Sequence, residues 1–414
     1  MCLSFEIVGR SRSTAARVGR VTTPHGVFDT PAFMPVGTRG SVKGVLPRDL
    51  AEIGAQVILA NTYHLMLRPG AGLIERRGGL HAFMNWPGPI LTDSGGYQVY
   101  SMGDISTIDD DGVTFKSIID GAMVRLTPER SIEIQHRLGA DIIMAFDDCP
   151  PSVDPRTSNQ TRRRLSSRRA RANDSYDHGR RLDEANERTV RWLERGARFH
   201  ARWGRADRQA LFGIVQGGTD PARRAWSAQR VCAVDLPGYA IGGVAVGEGF
   251  EEIVAVVSRT APMLPADKPR YLMGVGYERD LVAAVRAGCD MFDCVLPTRN
   301  GRNANAFTRK GQIRLRNAVY AEDDAPIEPG CDCPSCAGWG SDPRPFTRAY
   351  LRHLFAAGEM LGPTLVSLHN LRHFQRLLVD IRACIREDAW SDLALQWPVV
   401  RPGLEGTFAP SAAG

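Results

Sequence analysis

No stretch of this 414-residue chain is apolar enough to read as a membrane span, and its cysteines draw no disulfide framework. Of nine cysteines, three sit together at 331–336; Cys2, Cys149, Cys232, Cys289, Cys294 and Cys384 are scattered in mostly apolar surroundings. That usage fits a reducing compartment with one metal site. The first residues, Met-Cys-Leu-Ser-Phe-Glu-Ile-Val, lack the basic start of a secretory leader and carry Glu6 in their apolar part. A dominant charge is missing too. The 52 Lys and Arg against 46 Asp and Glu leave a net charge of +6, which permits a polyanionic partner without requiring one. The expectation is a cytoplasmic protein with no membrane association. What is present, 43% hydrophobic and 24% charged residues, supports a sizeable core, in one large domain with appendages or in two domains.

Eight short β-type runs recur, ending in or followed closely by Gly, Asp, Asn or Gln in several cases. They are Pro31–Val36, Gln56–Asn61, Pro89–Asp93, Asp141–Asp147, Ala210–Gln216, Tyr239–Val244, Arg270–Val275 and Asp290–Val295. The central ones are apolar on both parities, as strands covered on both faces must be. Helical stretches lie between many of them. Thr127-Pro128 opens one that Gly139 stops, and another runs Asp280–Ala287 before Gly288. This alternation predicts an α/β fold, a (β/α)8 TIM-type barrel. No glycine-rich phosphate turn follows the first strand, which disfavours a doubly wound open sheet. Val113–Leu126, with its Asp120-Gly121 turn, reads as an inserted β-hairpin. Residues 151–181 hold Arg162, Arg163, Arg164, Arg168, Arg169 and Arg171 among Ser, Asn and Asp. That segment reads as a basic insertion, either touching RNA backbone or simply solvated. Glu187–Trp203 reads as amphipathic helix, and Gln396–Gly414 as a frayed tail.

In a barrel, Asp93, Asp147, Gln216, Gly243 and Asp293 would converge on the C-terminal mouth, where active sites sit. Asp293 precedes an arginine- and asparagine-rich loop with Arg299 and Arg302, side chains suited to phosphate. Asp93 begins Asp-Ser-Gly-Gly-Tyr, whose glycines let a ligand approach and whose Tyr97 offers a stacking face. Two mouth-facing acids are what a retaining displacement at an anomeric carbon needs. Asp147, Gln216 and the Gly242–Val244 backbone supply what a purine edge needs. The plain alternative at each position is a polar cap where a strand ends.

Cys331-Asp-Cys333-Pro-Ser-Cys336 offers three thiolates in a tight knuckle, which points to zinc. His353, His369 and His373 are candidates for a fourth ligand. His369 is favoured because the apolar face of the following helix would pin it near the knuckle. Four protein ligands make a closed, structural site.

Taken together, Asp93-Ser-Gly-Gly-Tyr-Gln-Val, Met144-Ala-Phe-Asp-Asp-Cys, Gly213-Ile-Val-Gln-Gly, Gly242-Gly-Val-Ala-Val-Gly-Glu248 and Asp290-Met-Phe-Asp-Cys-Val-Leu-Pro-Thr-Arg resemble the bacterial tRNA-guanine transglycosylases. Tyr271-Leu-Met-Gly-Val-Gly and the cysteine knuckle with His369-Asn complete the pattern, from about Pro31 to about Phe374. The resemblance implies a barrel with a C-terminal zinc subdomain. It also implies exchange of the wobble guanine of tRNAs with a GUN anticodon for 7-aminomethyl-7-deazaguanine, a step of queuosine biosynthesis. By the same resemblance, Asp293 is the nucleophile and Asp93 the general acid/base. Asp147, Gln216, Gly243, Val244 and Ser94 meet the base, while Tyr97 and Met273 sandwich it. Glu248 braces the facing backbone, Arg299 and Arg302 meet RNA, and Cys331, Cys333, Cys336 and His369 hold zinc. Val246 and Cys149 match the bacterial pattern, so the pocket is expected to be too small for queuine. The helix and knuckle near the insertion at Gly338–Thr347 commonly make a homodimer contact in that family. The expected division is a catalytic barrel over 1–300 including the basic insertion, a zinc subdomain with closing helices over 301–390, and a tail over 391–414. A non-catalytic RNA-binding subunit is the other reading, though it would have no need of both Asp93 and Asp293.

Overall fold

The eight apolar runs do pair side by side. In a computed structural model that describes residues 2–97, 106–154, 156, 176–203, 205–245, 248–340 and 343–405, Ala32–Met34 pairs with Met291–Asp293. The ladder continues through Arg270–Leu272, Gly238–Ile241, Ala210–Val215, Ile142–Met144, Ile90–Thr92 and Ile58–Ala60 to Val36–Gly37, every pair parallel. Ala32–Met34 and Val36–Gly37 are halves of one strand split at Pro35, which has no N–H for the ladder but whose carbonyl still accepts from Leu59 N at 3.0 Å. The sheet therefore closes on itself as the expected eight-stranded barrel.

Parity sorts its side chains. Ala32, Met34, Leu59, Leu91, Ile142, Met144, Phe212, Ile214, Ala240, Tyr271 and Met291 fill the interior. Their neighbours Phe33, Ile58, Ile90, Ile143, Leu211, Ile241, Leu272 and Phe292 face the surrounding helices. The helix Pro128–Leu138 starts as its sequence dictates: Thr127 caps the amide of Arg130, and Gly139 ends it at φ 76°.

A three-stranded antiparallel sheet, Ser4–Arg10, Arg17–Thr23 and Gly26–Thr30, precedes the barrel and was not anticipated. Leu3, Val21 and Phe28 pack into the interior core. The sheet lies where the strands begin. The Arg17 guanidinium donates to Asp290 at 2.6 and 2.9 Å, just ahead of Met291–Asp293. His25 and His81 stack with centroids 3.5 Å apart and both bond the buried Asp141, just ahead of Ile142–Met144. The N-terminal end of the barrel is thus plugged, and the C-terminal mouth is the end left for a site.

The inserted hairpin is one edge larger than expected: Gly112–Lys116 pairs with both Met123–Leu126 and Ser106–Asp109. The helix expected from Glu187 begins at His178 and runs to Arg202, because Asp177 caps it and Leu182 and Ala185 extend its buried face. The tail departs most from expectation. Through Glu405 it is packed rather than frayed: Trp397 is fully buried, and its indole donates to Asp380 at 2.8 Å. Residues 406–414 lie outside the described residues, as does most of the basic segment, 157–175.

A separate small core joins Ala304, Ala306, Leu315 and Ile327 to Cys331, Cys333, Cys336 and Leu365. The long helix Leu361–Glu387 links it to the barrel: its Gln375 donates to the Phe33 carbonyl at 3.0 Å and its Arg382 to the Pro31 carbonyl at 2.6 Å. Among the described residues no helix is long and apolar enough to cross a membrane.

Candidate active site and metal centre

Asp293 ends the last barrel strand at the open mouth. Its Oδ1 accepts from the Tyr271 hydroxyl at 2.5 Å and from Gly274 N at 2.8 Å. Its Oδ2 accepts no hydrogen bond from any described residue, so one oxygen is held in place and the other has no partner among them. Burial pushes this carboxyl above its ordinary range, against the pull of those two donors. Tyr271 itself is buried in the barrel interior and feels the charge of Asp93 as well as of Asp293, which brings the two acids to one locality. Sequence reading passed over Tyr271, since an apolar strand gives no sign that one inward tyrosine carries a carboxylate. Asp93 leaves the end of Ile90–Thr92. Its Oδ1 accepts from Thr62 N at 2.8 Å, its other oxygen accepts from the Asn61 amide, and its carbonyl accepts from the Thr62 hydroxyl at 2.5 Å.

Beside them the strand ends at Asp147 and Gln216 meet. Asp147 Oδ2 accepts from Gln216 Nε2 at 2.7 Å, and Oδ1 from the Ser94 hydroxyl at 3.2 Å. Burial raises the Asp147 carboxyl to about 6; Gln216 and Ser94 oppose the shift and the neighbouring Asp148 adds to it. Asp148 is itself held by Arg181 and Arg188, at 2.6 Å each. The glycines around this pair are needed for space. A Cβ on Gly96 would come 2.8 Å from the Asp147 carbonyl, and one on Gly243 would come 2.2 Å from Gln216 Oε1. The Gly243 backbone lies against the Gln216 side chain, and Val244 follows it.

Arg224 lies beneath that backbone. Its side chain is buried and donates to the carbonyls of Gly218 (2.8 Å), Val215 (3.1 Å), Gly242 (2.7 Å) and Gly243 (3.1 Å). It too was missed. The available signal was helical spacing, which puts Arg224 on the same buried face as Ser227, Ala228 and Val231. The charge of Glu248 acts on Arg224, so that carboxylate is near. Met273 directly follows the strand Arg270–Leu272 and is half-buried against the interior core, while Tyr97, five residues past Ile90–Thr92, is 42% exposed. Cys149 is buried beside this pocket; Val246 lies outside the described residues.

The segment after Asp293 is a short helix, Leu296–Arg302, and not the loop expected. Pro297 in the first turn and the packing of Gly301 against Ser367, leaving no room for a Cβ, explain the difference. Arg299 is exposed and Arg302 half-buried, so two cationic side chains rise from the rim next to Asp293. Asn370 fastens this helix, donating to the Pro297 carbonyl at 2.9 Å and the Asn305 carbonyl at 3.0 Å while accepting from Phe307 N at 2.9 Å.

The neighbour of Asn370 is His369. It and Cys331, Cys333 and Cys336 are all buried, with their ligand atoms within 4.8 Å of one another. His369 Nδ1 stands 3.7, 3.5 and 3.3 Å from the three sulfurs. Tetrahedral bonds of about 2.3 Å to sulfur and about 2.1 Å to nitrogen would set these separations at about 3.6 Å. Nε2 donates to the Phe307 carbonyl at 2.7 Å, leaving Nδ1 as the free lone pair. These residues could hold a metal ion. Of the other two candidates, His373 is bound to Glu278 at 2.8 Å, and neither it nor His353 belongs to this cluster.

Fold and site together define a class: a parallel barrel enzyme with acids at its C-terminal mouth and a Cys3His metal knuckle braced against the same rim. The family model described as queuine tRNA-ribosyltransferase matches residues 12–179 and 169–399, its two segments overlapping within the arginine-rich stretch. A protein of that name from Thermus thermophilus is 51% identical over 401 residues, covering 97% of this chain and 95% of the relative. Namesakes from a Synechococcus species and Acetivibrio thermocellus are 49% and 48% identical, covering 95% and 94% of this chain and 96% of each relative. The chain belongs to the queuine tRNA-ribosyltransferase family.

Proposed function

We propose that the protein exchanges the wobble guanine of tRNAs bearing a GUN anticodon for 7-aminomethyl-7-deazaguanine through a covalent ribosyl–Asp293 intermediate. The observation that carries this is Asp293 itself, with Oδ1 fixed by Tyr271 and Gly274 and Oδ2 without a partner among the described residues. Oδ2 attacks C1′ of the ribose as the C1′–N9 bond breaks, and Asp93 gives a proton to the departing guanine. Asp93 then takes the proton from the incoming base as its N9 displaces Asp293. Two displacements keep the anomeric configuration and retain the glycosidic bond energy, so no nucleotide triphosphate is needed.

Asp147 accepts the purine ring N–H and amino donors, while Gln216, Ser94, Gly243 and Val244 complete the edge. Tyr97 and Met273 enclose the ring faces, and Glu248 braces the backbone toward the 7-substituent. Arg299 and Arg302 hold phosphates of the anticodon loop, whose unstacked bases are open to extrusion. The metal is zinc, and its chemistry is structural. With Cys331, Cys333, Cys336 and His369 it anchors the long helix from which Asn370 positions the rim helix. On this reading 1–300 is the catalytic barrel, 301–390 the zinc lobe that stiffens its RNA-facing edge, and 391–414 an appended tail. Trp339 and Tyr350, both partly exposed on that lobe beside Phe346, suit a homodimer contact there.

The test is exchange on tRNA labelled at the wobble guanine. Label should be released from a GUN tRNA on adding 7-aminomethyl-7-deazaguanine and retained by a tRNA with another anticodon. Equal release from both tRNAs would sink the specificity; none from either would sink the activity.

A further inference from the structure

A peptide unit that turns its carbonyl one way turns its N–H the other, because the trans amide is planar. Arg224 holds the carbonyls of both Gly242 and Gly243 from beneath, at 2.7 and 3.1 Å. The other ends of those two peptide units, the N–H groups of Gly243 and Val244, therefore face away from Arg224. Both residues are buried, yet neither N–H donates to any described residue. Buried backbone donors are rarely left without an acceptor, so a pair of them points to a ligand. Gly243 can take this turn because its φ is 62°, and a side chain there would strike Gln216. Arg224 also ties in the preceding strand end through Val215 and Gly218, so one planar fork fixes both walls of the pocket.

We propose that Arg224 is a positioning residue that sets base specificity: by fixing the Gly242–Val244 peptides it presents two amide donors to the exocyclic oxygen of a 6-oxopurine. With those peptides free to turn over, carbonyls would face the ligand and favour an exocyclic amine instead. The inference rests on the reading of this site as a base-exchange pocket. It adds the residue that decides which edge of the base is accepted.

The experiment compares wild type, Arg224→Met and Arg224→Lys in guanine exchange on full-length tRNA. KM is measured for guanine and for tRNA separately, with 2,6-diaminopurine, which carries an amine at position 6, as competing base. Loss of two oriented hydrogen bonds predicts a rise of about 10- to 100-fold in KM for guanine for the methionine variant. Its KM for tRNA should stay within about twofold, because Arg224 is buried away from the phosphate-facing rim. Discrimination against 2,6-diaminopurine should fall by about tenfold, with lysine intermediate, since an ammonium donates without the planar fork. A merely structural residue would lower the active fraction and leave KM and discrimination alone. That result in either variant overturns the proposal, and if the methionine variant does not fold, the lysine variant decides. A wild-type protein that exchanges no guanine refutes the parent reading; an active wild type with variants of unchanged selectivity refutes this inference alone.

Discussion

Asp147→Asn removes a charge that burial disfavours and that the proposed chemistry requires, so stability and activity should move in opposite directions. The carboxyl is raised from 3.8 to about 6 by desolvation. At about 1.4 kcal/mol per unit, keeping it ionised in the folded protein costs roughly 3 kcal/mol above pH 6. The neutral amide is a weaker acceptor for Gln216 and Ser94, which returns on the order of 1 kcal/mol. The variant should therefore be more stable than wild type by about 2 kcal/mol at pH 8. The sign follows from the direction of the shift. A carboxyl whose folded value lies above its unfolded value keeps its proton longer in the folded state. Wild type therefore loses stability as pH rises from about 4 to about 6, and the variant does not. Near pH 4 the advantage should vanish. Denaturant unfolding at pH 4.5 and 8 measures both ends. Meanwhile two charge-assisted contacts to the purine are lost, at about 1.5–3 kcal/mol each, so kcat/KM for exchange should fall by roughly 10²- to 10⁴-fold. A variant less stable than wild type at pH 8, or a stability difference independent of pH, would refute the account of Asp147 as a buried charge reserved for substrate.

Tyr271→Phe removes one of the two donors to Asp293, so the acidic limb of the kcat/KM profile should move to higher pH, with kcat down about tenfold; an unmoved limb would free Tyr271 from this role. Cys333→Ala should lose bound zinc and stability together, by metal analysis and thermal unfolding, and a stable, metal-replete variant would overturn the ligand set. Asn370→Ala leaves the metal ligands intact but releases the rim helix, so zinc content should hold while KM for tRNA rises several-fold; an unchanged KM would separate the zinc lobe from RNA binding.

The barrel was legible because a strand buried on both faces has to be apolar on both parities, and eight such runs recur, several of them with a polar residue or glycine near the C-terminal end. Asp93, Asp147, Gln216 and Asp293 could be read for that reason, and the cysteine knuckle because its ligands are adjacent in sequence. What escaped depends on partners distant in sequence. Ser4–Arg10 alternates exposed and half-buried residues and looks like nothing until Arg17–Thr23 pairs with it. Trp397 reads as tail until it meets Asp380 on the long helix. The rim helix Leu296–Arg302 contains glycine, asparagine and proline, poor helix formers, and owes its form to Ser367 and Asn370. Arg224 is one of three arginines in the helix Pro221–Cys232, and Tyr271 one aromatic in a short strand, so composition marks neither; only the buried side each one faces does.

The central claim is covalent catalysis by Asp293, and trapping the intermediate tests it most directly. Wild type and Asp293→Asn are incubated with labelled GUN-anticodon tRNA, quenched in detergent, and resolved under denaturing conditions. The account predicts a detergent-stable protein–tRNA adduct with wild type only, chased away by 7-aminomethyl-7-deazaguanine, while the variant still binds tRNA and is no less stable than wild type, since burial disfavours the charge it removes. An adduct of equal yield with the variant, or brisk exchange by it, would contradict the account.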